Sequence, residues 1–139
     1  VAEILEHLAL VEARIAHLLG DRLAAARAAG LGAERETSPV VPTLDVARLL
    51  DRSRPLTASE ASQPRAGLDA GAAWAALSEQ RRAVREMVLA ADGLALGAVS
   101  IPHPRLGALD AYQWLVFLGA HEARHAAQVR EVAAAIDGR

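Results

Sequence analysis

Five residues near the end of the chain, His121-Glu122-Ala123-Arg124-His125, set two imidazoles four positions apart. At about 100° per residue, Trp114, Phe117, Leu118, His121, His125, Gln128, Val132 and Ile136 fall on one side of a helix. That side is apolar at both ends and carries two imidazoles and an amide in the middle. Residues i and i+4 lie one above the other, so both rings can reach one interior point. Imidazoles inside an apolar stripe need partners, and a divalent metal ion satisfies both together. The competing reading is a pair of structural histidines, each hydrogen-bonded in the core.

A third ligand is available in His7, at one edge of the apolar stripe of an N-terminal helix. Three His ligands leave a position open for water or substrate, the layout of a catalytic rather than a structural site. Gln128, one turn beyond His125, is placed to orient a ring. His103 stands between prolines, where building a turn is its expected task, and His17 falls on a solvated side. The residues 121–125 also spell H-E-x-x-H, in which Glu122 would be the general base of a zinc protease. The extended form of that motif needs Gly and His where this chain has Gln128 and Glu131. Glu122 lies about 100° round the helix from His121, which predicts a solvated side chain.

Composition narrows the classes. The chain has 139 residues, enough for one domain with one core. Its net charge of −2 gives no general attraction to nucleic acid or anionic membrane. All 15 basic residues are Arg, scattered without a basic block. With no cysteine, disulfides, thiolate metal sites and a cysteine nucleophile are excluded. No apolar run approaches the ~18 residues of a membrane span, and no secretory leader pattern is present. A cytoplasmic protein is the expectation.

Three long helices are expected to position these residues. The first runs from Ala2 to Ala29, with Ile4, Leu8, Val11, Ile15, Leu18 and Leu19 as its apolar stripe and Gly30 and Gly32 as stops. Its pattern is already running at residue 1, and Val1 is not an initiator Met, so a preceding segment is expected. Residues 31–68 hold four of the six prolines and read as a long crossover. Within it Thr43 could cap a short helix, Leu44 to Leu50. Asp69 should cap the next long helix, Ala70 to Ala91, with Trp74, Leu77, Val84, Val88 and Leu89 inward and Arg81, Arg82, Arg85 and Glu86 solvated. Pro102-His103-Pro104 forces an extended or turn segment, followed by the last helix, Leu109 to Ile136. No β alternation is evident, and no carboxylate constellation on the helix interiors suggests a di-iron bundle. The fold class is all-α, and three long striped helices usually want a fourth.

Ordered along the chain, Ile4-Leu5-Glu6-His7-Leu8, the Pro55 to Pro64 loop, Leu77 with Arg81, His103-Pro104-Arg105-Leu106-Gly107, Tyr112-Gln113-Trp114-Leu115 and His121-x-x-x-His125-x-x-Gln128 resemble the DinB-like metal-binding four-helix-bundle family. The resemblance spans nearly the whole chain. It implies a four-helix bundle with a long crossover between its second and third helices. It also implies a divalent metal, zinc or nickel, on His7, His121 and His125. The family has a helix before the one bearing its first His, so this chain begins inside what would be the second helix, with the first apparently missing. Relatives include transferases and isomerases that use low-molecular-weight thiols. The function implied is a metal-dependent transferase or hydrolase that activates a small thiol or water in detoxification or stress response. The alternatives are a non-catalytic metal-stapled binding or regulatory module and the H-E-x-x-H protease. The expected partners are a small-molecule substrate and a second copy, as a homodimer, with no nucleic acid and no membrane. The crossover, Gly32 to Leu68, is the expected lid.

Overall fold

The structure is a computed structural model and describes residues 1–53, 56–65 and 67–138, the side chain of Asp137 excepted. Arg54, Pro55 and Ala66 of the expected crossover, and with Pro55 the start of the loop used in the resemblance, lie outside the described residues. The chain forms α1 (Ala2–Ala28), α2 (Val46–Leu50), α3 (Ala70–Ala90), an antiparallel hairpin of β1 (Ser100–His103) and β2 (Gly107–Asp110), and α4 (Ala111–Asp137), with three short 3-10 turns between.

Helix α1 turns Leu8, Glu12, Ile15, Leu19 and Leu23 inward at spacings of four and three residues. It lies along α3, which buries Ala73, Leu77 and Val84. Helix α4 closes the group with buried Ala111, Trp114 and Leu118. Two apolar clusters result. The larger joins Ile15, Leu19 and Leu23 to Val84, Ile101, Leu109, Trp114 and Leu118, and the smaller joins Leu8 and Ala9 to Leu77. Helix boundaries follow local chemistry. The Asp69 carboxylate caps α3 by accepting from Ala72 N at 2.8 Å. Asp110 and Gln113 form a reciprocal capping box at the start of α4. Gly30 and Gly93, just past α1 and α3, adopt φ of +86° and +77°, a conformation that glycine enters without a Cβ penalty.

Several expectations change. Asp45, not Thr43, caps the short helix, because its carboxylate reaches Arg48 N at 3.0 Å. The last helix begins at Ala111, since Leu109 is in β2, paired with Ile101. The hairpin escaped detection because each strand has four residues and two prolines interrupt the stretch. Its one inward cross-strand pair, Ile101 and Leu109, is too short a pattern to read as alternation. Trp74 and Leu89, expected inward, are 61% and 60% exposed. Each is turned well off the line through Ala73, Leu77 and Val84 that faces α1. Ile136, at the far end of the α4 stripe, is also exposed.

The crossover runs from α4 to α1. Helix α2 packs on α4, and the turn Glu60–Ser62 packs on α1. Between them the chain is held to α4 by a bidentate Arg52–Glu131 ion pair at 2.5 Å and by Arg124 donating to the Asp51 carbonyl.

Candidate metal centre

The two clusters are separated by a polar layer in which the helices exchange charged and imidazole groups. His7 comes from α1, and His121 and His125 from successive turns of α4. Their candidate ligand nitrogens all lie within 4.8 Å of one another. The ring centroids of His7 lie 5.3 Å from His121 and 4.9 Å from His125, and those of the α4 pair lie 4.6 Å apart. All three rings are half-buried.

Two of the rings are tethered by their outer nitrogen. His7 Nδ1 donates to the Ser62 carbonyl at 2.7 Å, and His125 Nδ1 donates to Gln128 Oε1 at 2.8 Å. A carbonyl oxygen only accepts, so in each neutral ring Nδ1 holds the proton and Nε2 keeps a lone pair. His121 Nε2 lies 3.4 Å from His7 Nε2, and His121 Nδ1 is buried without a partner. Burial, with the neighbouring His125 and His7, pushes the His121 pKa down to about 3. Burial lowers that of His125 as well. Both therefore stay neutral near pH 7, the form that ligates a metal.

The residues fit a divalent ion. With metal–nitrogen bonds of about 2.0–2.1 Å in a tetrahedral site, ligand nitrogens stand about 3.4 Å apart. The His7–His121 pair already has that separation, and the other nitrogens need only small ring movements from 4.8 Å or less. An ion would replace a contact between like nitrogens with two coordinate bonds.

Beside the triad lies an ionic cluster that departs from the sequence expectation. Arg81, expected in solvent, donates through Nε and one terminal nitrogen to Glu12 at 3.1 and 2.5 Å, and to Glu122 Oε2 at 2.5 Å. Glu12 is 0% exposed. Glu122, also expected in solvent, is half-buried because Arg81 reaches it from α3. Glu12 and Glu122 thus share one guanidinium, the first of them fully buried. A signal was present: Glu12 lies four residues after Leu8 and three before Ile15, at the centre of the α1 stripe. Arg81 has the same spacing from Leu77 and Val84. Glu122 is thus held in an ion pair with Arg81 rather than free beside the imidazoles.

The remaining histidines stand as expected. His17 is exposed beside Asp21. His103 builds its turn: its Nδ1 accepts from Arg105 N at 3.1 Å and Leu106 N at 3.2 Å. Its ring also packs on Trp114 and Phe117, and Phe117 stacks on His121 at 5.8 Å, so an aromatic row leads from the hairpin turn to the triad. An apolar groove of about 330 Å³, lined by Val41, Val46, Leu50, Val116 and Ala123 among others, lies between the crossover and the back of α4. Its α4 residues are turned about 100° or more from the two imidazoles.

A mainly helical chain whose long helices bring three imidazoles together defines a class of metal-binding helical-bundle proteins. Within that class, the DinB superfamily matches residues 1–129, and the chain belongs to it. No curated protein and no solved structure gave a significant match.

Proposed function

We propose that His7, His121 and His125 hold one divalent ion, zinc or nickel, and that the protein is a metal-dependent enzyme acting on a small electrophilic substrate. The convergence of three imidazoles, all presented on the same interior point by α1 and α4, carries the reading. Membership of the DinB superfamily supports it. Among the described residues the cluster contains no fourth His, Cys, Asp or Glu, which leaves a coordination position for an exogenous ligand. When bound, the ion would lower the pKa of a water or a low-molecular-weight thiol there and favour its anionic form. The chain's own residues do the rest. Ser62 and Gln128 hold two rings in register, Phe117 keeps solvent off one face of His121, and the crossover is placed to bound the substrate. Transfer of a thiol or hydrolysis in a detoxification or stress response is the role proposed. A homodimer is part of the same reading, and the exposed groove on the back of α4 gives it a candidate face.

A second reading, a metal that only staples α1 to α4, draws support from the ligands being divided between those two helices. The two readings separate by whether the bound ion exchanges its outer ligand with an added small thiol.

Elemental analysis of protein purified without an affinity tag tests the site. About one zinc or nickel per chain is expected, lost in a His121→Ala/His125→Ala double variant. No metal after incubation with either ion would overturn the reading.

A further inference from the structure

The three rings are not held alike. His125 is oriented by Gln128, a neighbour on its own helix that moves with it. His7 is oriented by the Ser62 carbonyl, 55 residues further along the chain. That carbonyl is in place only while the Ser59–Ser62 turn sits on α1. The turn is held there by Arg14, whose guanidinium donates to Ser62 Oγ at 3.0 Å and Ser59 Oγ at 3.2 Å. The two hydroxyls lie 3.1 Å apart, and Ser62 is buried. A second contact, Arg65 N to Glu6 Oε1 at 3.0 Å, ties down the chain leaving the turn. Arg14 follows His7 by seven residues, so both project from nearly the same line of α1. One face of this helix therefore offers both the ligand and the anchor of the segment that orients the ligand.

We propose that Arg14, acting through Ser59 and Ser62, is a positioning residue for His7, and that it couples closure of the crossover on α1 to metal binding. With the turn closed, His7 is committed to the Nδ1–H form and Nε2 faces His121 and His125. With the turn open, the ring gains rotational freedom and its second tautomer, both of which weaken ligation. Coupling of this kind is reciprocal: the factor by which closure raises metal affinity is the factor by which metal favours closure. The coupling rests on the metal reading above, whereas the positioning of His7 does not.

The test compares Arg14→Met and the milder Ser62→Ala with the parent. Arg22→Met, an exposed position on the same helix, controls for the change in charge. Zinc affinity is measured by competition with a chromophoric chelator. The tautomer of His7 is read by long-range proton–nitrogen NMR in metal-free protein, and hydrogen exchange is followed at the Ser62 and Gln63 amides, which close the turn. Arg14→Met is expected to weaken zinc binding by about ten- to a hundredfold, to mix the His7 tautomers and to speed exchange in the turn. Zinc should slow that exchange in the parent and much less in the variant. Ser62→Ala should move the same readouts less far, and it stands in if Arg14→Met does not fold. Parent-like affinity and a single Nδ1–H tautomer in both variants would overturn the proposal while leaving the metal site intact. A parent that binds no zinc would instead overturn the metal reading and the coupling with it. The metal-free tautomer would still decide whether Arg14 positions His7.

Discussion

Arg81 holds two carboxylates at once, and one of them, Glu12, has no access to water. Removing the cation leaves Glu12 buried and unpaired, which is more costly than removing the whole pair. Arg81→Met should therefore destabilise the protein by about 3 kcal/mol, the lower end of the usual range because Arg81 is partly exposed. Adding Glu12→Gln should recover part of that loss, and urea denaturation of the single and double variants checks it. His121 supplies a second prediction at this scale. Its folded pKa, near 3, lies below the ordinary histidine value of 6.5, so the unfolded chain binds the extra proton first. Stability of the metal-free protein should consequently fall as pH drops through 6.5 toward 3, since protons are taken up on unfolding. A His121→Phe variant should lose part of that slope in denaturation curves recorded at pH 7.5 and 5. Metal loading should weaken over the same range, because protons and metal compete for the rings.

At the scale of elements, the hairpin β1–β2 and the crossover matter more than their length suggests. The hairpin buries Ile101 completely, and the indole of Trp114 donates to its carbonyl at 3.2 Å, so the strand seats the start of the helix that carries two of the imidazoles. Ile101→Ala should lower stability by about 3 kcal/mol through lost burial and the cavity left behind. It should move the near-ultraviolet signal of Trp114 while leaving helix content unchanged, which circular dichroism would show. The crossover joins α4 to α1 through Arg52–Glu131, Arg124 with the Asp51 carbonyl, and Ser62 with His7. Its ionic contacts are exposed and individually weak, whereas the buried Ser62 contact is where it acts on the site.

On the scale of the whole molecule, the proposed ligands come from two long helices, α1 and α4. A ligand that binds only the folded chain stabilises it by mass action. Zinc or nickel at a hundred times its dissociation constant should add about 2.7 kcal/mol, and a chelator should remove that increment. Calorimetry with and without metal, repeated on His7→Ala, measures it; equal melting temperatures with and without metal would contradict a site shared between α1 and α4. None of the described helices is long and apolar enough to cross a membrane.

The periodicity of Leu8, Ile15 and Leu19, of Leu77 and Val84, and of Trp114 and Leu118 determines three amphipathic helices. The cap Asp69 and the stop Gly30 mark the start of α3 and the end of α1 to within two residues. The spacing of His121, His125 and Gln128 fixes their common face, because one helix geometry relates them. These are local properties, and a chain carries local properties in its order. What tertiary structure decided was which distant groups meet. Arg81 is expected on the solvated face with Arg82, Arg85 and Glu86; only the arrival of Glu12 from α1 and Glu122 from α4 turns it inward. The Ser62 carbonyl has no side-chain signature at all, so its bond to His7 was invisible until the crossover was laid on α1. Cross-strand pairing of Ile101 with Leu109 is likewise a contact between segments rather than a pattern within one. The orientation of His7, and with it the candidate site, depends on contacts of this second kind.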